Sequence, residues 1–207
     1  METLSQQDKL QSYYKWHAHI YDASRWSFLF GRTSLIQHCK KINPGAEHIM
    51  EIGCGTGSNL KKLQSHFPGS QITACDLSED MLHKASKKMN HHAGRLEFKK
   101  GDYLDFSDRP NTFDIILFSY ILTMVPDQFE TLIEKANREL KPGGLIAIVD
   151  FDSSPSSLFT QWMKKNHVKL NHHWDLKLKE KFISQIFHEK PAYAGIWNYF
   201  QFVGSKT

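Results

Sequence analysis

HIMEIGCGTGSNL, residues 48–60, is an apolar run that breaks into three alternating glycines, Gly53, Gly55 and Gly57, just after the acid Glu51. A second apolar run, QITACD (71–76), closes on Asp76. A strand, a glycine turn, a helix and a second strand ending in a carboxylate make a cradle for a nucleotide cofactor. Glycines let the turn backbone pass close to a ligand where a Cβ would collide. A carboxylate at the second strand tip can accept hydrogen bonds from both ribose hydroxyls.

The alternation of strand and helix continues outward from this unit. Further strands are expected at Leu96–Lys99, Phe113–Phe118, Leu145–Asp150 and Trp197–Val203, with helices over Ser58–Phe67, Glu79–Met89 and Gln128–Leu140. Pro68-Gly69, His91–Gly94 and Pro142-Gly143-Gly144 supply the breaks. Ile115–Phe118 and Leu145–Val149 are apolar at every position, which marks strands covered by helices on both faces and hence a mostly parallel sheet. IWNYFQFVG, near the end of the chain, alternates aromatic and polar residues and reads as an antiparallel C-terminal edge strand. The expected fold is α/β, a doubly wound, mostly parallel Rossmann-like sheet in a single domain. Residues 1–45 would form an N-terminal helical lid, 46–152 the cofactor-binding core, and 153–207 a substrate-side helix and the edge strand.

Size and composition agree with one such domain: 207 residues, 40% hydrophobic and 23% charged, with a net charge of +4. No apolar run approaches the ~20 residues that cross a bilayer, and METLSQQDKL lacks the apolar stretch of a signal peptide. Cys39, Cys54 and Cys75 are an odd number without a CxxC pair, so a reduced, cytoplasmic setting and a filler role for Cys54 and Cys75 are expected. His172 and His173 are adjacent and do not converge on one ion, so no metal site is expected. Neither an Asn/Asp-Pro-Pro-aromatic turn after the fourth strand nor a basic stripe with interleaved stacking residues is present, which argues against nucleic acid.

The glycine spacing discriminates among nucleotides. A GxxxxGK[ST] phosphate loop is missing, and the GxGxG pattern with Ser58 following departs from the dinucleotide fingerprint. S-adenosylmethionine, with adenine and ribose but no phosphate, remains. It asks for a further acid near the adenine, which Gly101-Asp102-Tyr103 supplies. Glu51-Ile52-Gly53-Cys54-Gly55-Thr56-Gly57, Asp76-Leu77-Ser78, Gly101-Asp102, Phe113-Asp114-Ile115-Ile116 and Leu140-Lys141-Pro142-Gly143-Gly144 resemble, in order, the motifs of class I S-adenosylmethionine-dependent methyltransferases, over residues 46–152. The resemblance implies a cofactor site of Glu51, Gly53 and Gly55 beside the methionine moiety, Asp76 on the ribose, Leu77 and Met81 flanking the adenine, and Asp102 and Tyr103 on its other edge. Leu77 and Met81 serve equally well as helix-packing residues at i, i+4. Ser119 and Tyr120 would face both cofactor and substrate, with S-adenosylhomocysteine as the product left behind.

The flanks address the methyl acceptor. WHAHIYDASRWSFLFGR (16–32) and AYAGIWNYFQFVG (192–204) resemble bacterial betaine-lipid N-methyltransferases, which act on the amine of diacylglyceryl homoserine. By that resemblance Tyr14 and Tyr21 would close over the cofactor. His17 would take the amine proton, with His19 a second candidate and Tyr120 a catalytic partner. Arg25, Trp26 and Arg32 would bind substrate, the arginines pairing a carboxylate or else salt-bridging at the surface. A soluble amine, a small metabolite or a quinone ring are alternative acceptors, and an inactive cofactor-binding partner subunit is a third reading. A lipid acceptor requires contact with a membrane. The six lysines of KKNHVKLNHHWDLKLKEK (164–181), interleaved with Trp174, Leu170, Leu176 and Leu178, are expected either to lie on anionic headgroups or to form a solvated helix face. Oligomeric state is not legible in the sequence.

Overall fold

The computed structural model describes residues 29–89, 95–166, 168–170 and 174–207. Strands β1 (His48–Ile52), β2 (Gln71–Asp76), β3 (Leu96–Lys100), β4 (Phe113–Ser119), β5 (Leu140–Phe151), β6 (Ile183–Ala192) and β7 (Trp197–Ser205) form one sheet in the order β3-β2-β1-β4-β5-β7-β6. The first five pair in parallel, and β7 runs antiparallel to both β5 and β6. The order reverses between β1 and β4, which places the glycine turn after β1 at the switch point where open α/β sheets bind ligands.

Helices α1 (Arg32–Ile42), α2 (Leu60–His66), α3 (Glu79–Lys88), α4 (Phe129–Glu139), α5 (Ser157–Lys165) and α6 (Asp175–Lys181) flank the sheet. α3 starts where the Ser78 side chain accepts from the Met81 amide, with Glu79 and Asp80 in its first turn and Lys87 and Lys88 in its last, a charge order that suits the helix dipole. α4 buries Phe129, Leu132, Ile133 and Ala136, one face of a 3.6-residue period. Alternate strand residues enter two separate cores. Ile49, Ile115, Leu117, Ala147 and Val149 pack with Leu35 of α1, Leu63 of α2 and Leu82 of α3. Met50, Ile52, Ile116, Phe118 and Ile148 pack with Leu132 and Ile133 of α4 and Leu178 of α6. Both faces are therefore covered, as the uninterrupted apolar strands require.

The C-terminal antiparallel addition is a hairpin rather than one strand. β7 is the segment marked by aromatic alternation, and β6 outside it was not anticipated. β6 is mostly exposed, carries His188, Glu189, Lys190 and Pro191, and has a register shift between Ser184 and Ile186. Charge, proline and a bulge are devices that blunt a sheet edge, and they also erase the alternation by which strands are recognised.

Residues 1–28 lie outside the described residues, so of the expected lid only α1 is described. It is a core helix, burying Leu35, Ile36 and Cys39. Its N-terminus is pinned to β7 by Gln201, whose side-chain amide donates to the Gly31 carbonyl (2.7 Å) and the Ser34 hydroxyl (2.9 Å). The lysine-rich segment likewise differs from a free basic face. Trp174 stacks on Phe129 of α4 at 4.6 Å, and Leu178 is fully buried. Lys177 and Lys181 pair with Glu130 and Glu134 of α4, Lys169 with Asp127, and Lys179 with Asp175.

Candidate functional site

Glu51 is 1% exposed near the carboxyl end of β1. Its Oε1 accepts from the Asn59 side-chain amide at 2.8 Å, and its buried Oε2 has no hydrogen-bond partner among the described residues. Burial pushes its carboxyl up to about 7, partly offset by the Asn59 bond and by the Arg32 and Lys62 charges. Arg32, half-buried at the start of α1 with its Nε donating to the Leu29 carbonyl (3.2 Å), is thus within electrostatic reach of Glu51.

The glycines that follow have different tasks. At Gly53 (φ +67°) an added Cβ would lie 2.1 Å from Cδ1 of Ile121, so its bareness lets the loop after β4 close against the turn. At Gly55 (φ +53°) nothing lies within 4 Å of that position. Its left-handed backbone and the open space beside it leave bare main chain facing the crevice. The Gly55 amide donates to Asp76 Oδ2 (2.8 Å) and the Ser78 amide to Asp76 Oδ1 (2.9 Å), so the β2 carboxylate ties the turn to the start of α3. A carboxylate has about four acceptor sites, and two such bonds do not exhaust them.

Beside Asp76, whose carbonyl accepts from the Gly101 amide at 3.1 Å, Asp102 caps a 3-10 turn by accepting from the Leu104 amide at 2.9 Å. Leu77 is half-buried, and Met81 is buried yet belongs to neither apolar core. Tyr103 departs from its expected place at the adenine edge. It is 3% exposed, its hydroxyl donates to Glu139 Oε2 at 2.7 Å, and its ring meets Phe118 edge-on. Glu139 also accepts from the Arg109 amide and lies 3.4 Å from Lys135, so Tyr103 belongs to a buried polar network beneath the loop after β3.

Ser119 ends β4, half-buried, and Tyr120 follows with φ +60°. Tyr120, expected to be catalytic, is engaged within the fold. Its hydroxyl donates to the Phe30 carbonyl at 2.8 Å, the residue is 1% exposed, and burial pushes the phenol well above its ordinary range. Its ring meets Phe151 edge-on at 4.7 Å. It secures the chain before α1 to the end of β4.

Asp150, at the tip of β5, was missed as a site residue. Fully buried, it accepts from the amides of Leu122 (2.8 Å), Thr123 (3.3 Å) and Phe151 (2.8 Å) and from the Thr123 hydroxyl (2.5 Å). Burial raises its carboxyl to about 6 against the pull of those bonds. It thereby fixes the loop that carries Ile121 over Gly53. The available signal was that LIAIVD, like QITACD, ends an apolar strand in an acid. Tyr14, His17, Tyr21, Arg25 and Trp26 lie outside the described residues. Cys54 and Cys75 are buried free thiols, and burial raises both, which suits the filler role expected of them. Among the described residues no cluster of potential metal ligands occurs.

Three acids stand at or beside successive strand tips, Glu51, Asp76 and Asp102, around an opening floored by Gly55. These carboxylate acceptors suit the N–H and O–H donors of an amine, a diol and an adenine amino group. Residues 49–144 match the family model described as a methyltransferase domain. A ubiquinone/menaquinone biosynthesis C-methyltransferase, UbiE, from Desulfotalea psychrophila is 32% identical over 111 residues, 54% of this chain and 44% of that protein. The chain spans under half the length of the first curated relatives it matches. In fold it is similar to Haemonchus contortus phosphoethanolamine N-methyltransferase 2, solved with phosphomonomethylethanolamine and S-adenosylhomocysteine (TM-score 0.78, 19% identity, 99% of this chain and 60% of that one). It is also similar to the N-methyltransferase NodS from Bradyrhizobium japonicum, solved with S-adenosylhomocysteine (TM-score 0.69, 18% identity, 84% and 85%). The methyltransferase match ends at residue 144, before the hairpin and α5.

Proposed function

We propose that the chain is an S-adenosylmethionine-dependent N-methyltransferase whose acceptor is the amine of a lipid headgroup, diacylglyceryl homoserine, reached at the cytoplasmic face of a membrane. Asp76 would hold the ribose hydroxyls, Asp102 the adenine amino group and Leu77 and Met81 its faces. Gly53 and Gly55 would border the methionine portion, with Glu51 near its charged end and Ser119 at the cofactor–acceptor boundary. When bound, the cofactor supplies an electrophilic methyl group. The protein's contribution is to strip water from the amine, aim it and accept its proton. His17 is assigned the proton, Arg25, Trp26 and Arg32 the acceptor, and Tyr14 and Tyr21 closure over the cofactor.

The observation that carries the amine is the aromatic wall beside the end of β4. Phe30, whose carbonyl takes the Tyr120 hydrogen bond, meets Tyr193 edge-on at 5.3 Å, Trp197 at 5.9 Å and Tyr199 at 6.3 Å. Phe30 and Tyr193 are the exposed rings of this wall, backed by the buried Trp197 and Tyr199, and an exposed ring face attracts an ammonium or methylated ammonium by about 0.5–2 kcal/mol. The N-methyltransferases among the structural neighbours and the resemblance of residues 16–32 and 192–204 support the same reading. The UbiE relative favours a second one, a carbon acceptor on a quinone ring. Purified protein incubated with methyl-labelled cofactor and a total lipid extract separates them. Label in an amine-bearing lipid supports the proposal. Label in a quinone or in a water-soluble product replaces the acceptor, and no transfer at all points to a cofactor-binding partner subunit.

A further inference from the structure

We infer that the chain docks on an anionic lipid surface through an apolar rim made by α5 and the tip of the β6–β7 hairpin. The inference rests on the lipid-amine reading and says where the bilayer would sit. Leu158 and Trp162, one turn apart on α5, are 78% and 46% exposed. Tyr193 and Ile196 at the hairpin tip are 43% and 48% exposed, and Phe30 between them and the candidate site is 40% exposed.

These exposed side chains stand on one set of packed rings, with Trp197 buried at its centre. Trp162 contacts Phe159 (5.8 Å), Phe159 stacks on Trp197 (6.1 Å), Trp197 meets Phe30 (5.9 Å), and Phe30 meets Tyr193 (5.3 Å). The Ser154 hydroxyl, just ahead of α5, donates to the Ile196 carbonyl at 2.6 Å. Phe159 and the buried Met163 turn inward, so α5 is anchored on one side and presents Leu158 and Trp162 on the other. The tip is held in three consecutive left-handed residues, Tyr193, Ala194 and Gly195 (φ +47°, +55° and +89°). Tyrosine and alanine adopt that conformation at a cost, and here it is retained where it projects apolar side chains outward.

Charge identifies the occupant as an anionic bilayer. Lys164 and Lys165, at the end of α5, are exposed and form no ion pair among the described residues. Lys169, Lys177, Lys179 and Lys181 are each paired with an acid. The uncommitted positive charge of the basic segment therefore borders the apolar rim. A protruding surface of tryptophan, tyrosine and leucine edged by lysine matches the boundary between acyl chains and anionic headgroups.

Co-sedimentation of the full chain with phosphatidylcholine vesicles containing phosphatidylglycerol tests this directly. Neither lipid offers a primary amine, so vesicle binding can stand or fall independently of methyl transfer. Leu158→Ser with Ile196→Ser, both at exposed positions, is expected to lower partitioning at least tenfold, roughly what two apolar side chains leaving an interface imply. Lys164→Gln with Lys165→Gln is expected to lower it about fivefold per lysine, and only when phosphatidylglycerol is present. Lys177→Gln with Lys181→Gln should bind as the parent does. Failure of the parent to sediment with vesicles, or undiminished binding by Leu158→Ser with Ile196→Ser, overturns the inference. So does a dimer in equilibrium sedimentation that the Leu158→Ser/Ile196→Ser variant dissociates, because the rim would then be a contact between copies. Vesicle binding as expected together with no methylation of any lipid would retain the docking surface and sink the acceptor.

Discussion

At the amino edge of the sheet, Asp114 on β4 accepts from the amides of Glu47 (3.0 Å) and His48 (2.8 Å) and pairs with Lys141 (2.8 Å). At the carboxyl edge, Glu51 on the neighbouring β1 has one hydrogen bond and one buried oxygen without a partner. Burial acts against both carboxylates. The Lys141 ammonium and the two amides outweigh it and hold Asp114 below the usual range, whereas Asn59 and the distant cations leave Glu51 raised to about 7. Both acids fall within stretches that resemble motifs of one family, yet one closes the structure and the other is left for something outside it. An unpartnered buried carboxylate oxygen beside the glycine turn calls for an explanation that the fully bonded Asp114 does not.

The largest effect should come from closing the incomplete edge. Gly55→Val places a branched side chain on a left-handed backbone and into the open crevice. Calorimetry with S-adenosylhomocysteine should show at least a hundredfold loss of affinity, beyond any loss traced to a lowered melting temperature. Affinity within a few fold of the parent would mean that the crevice is not the cofactor site.

Next comes the titration of the two acids, where the signs are opposite. Glu51 has a raised folded value, so between about 4.5 and about 7 the folded chain binds the extra proton. Its contribution to stability is complete below that window and disappears as pH rises through about 7. The swing is about 3 kcal/mol, from a shift of 2–3 pKa units at 1.36 kcal/mol each. Asp114 is lowered, so its contribution is present above its unfolded value near 3.8 and disappears as pH falls through its lower folded value. Urea unfolding across pH 3–8 should therefore show Glu51→Gln losing the parent's decline toward neutrality, and Asp114→Asn losing stability above pH 4. If both variants follow the parent in parallel, the contrast between the two edges is mistaken.

Asp76→Ala removes an acceptor from two backbone amides as well as from the proposed ribose. Cofactor affinity should fall by about 1–3 kcal/mol, the scale of hydrogen bonds to a charged group. Asp114→Asn at neutral pH is the control from the other edge and should leave that affinity unchanged. Equal weakening by both would show that the loss is one of general stability rather than of the site.

The cradle was legible because its parts are local. Glycine spacing, the acid that closes each apolar run and the breaks between helices lie within a few residues of one another. What escaped depends on chain segments far apart. β6 lost its strand signature to the requirements of an exposed edge. Four lysines that read as a solvated or membrane-facing run are partnered, two of them by Glu130 and Glu134 from 47 residues upstream. The roles expected of Tyr103 and Tyr120 come from a family resemblance, but the direction of a side chain leaving a strand end is set by its partners. Those partners, Glu139 and the Phe30 carbonyl, are remote in sequence.

The smallest expected effect tests that last point. Tyr120→Phe keeps the ring against Phe151 and deletes only the hydroxyl that donates to Phe30. The loss of one buried hydrogen bond should cost about 1 kcal/mol of stability. Because the phenol is buried and its proton already committed, the methyl-transfer rate at saturating acceptor should stay within about twofold of the parent. A general base removed from the reaction would instead cost about 10²–10⁴ in rate. A fall of that size with the melting temperature unchanged would return Tyr120 to the catalytic set. It would also mean that the bond to Phe30 opens when the acceptor enters, so that the chain ahead of α1 moves with the reaction cycle.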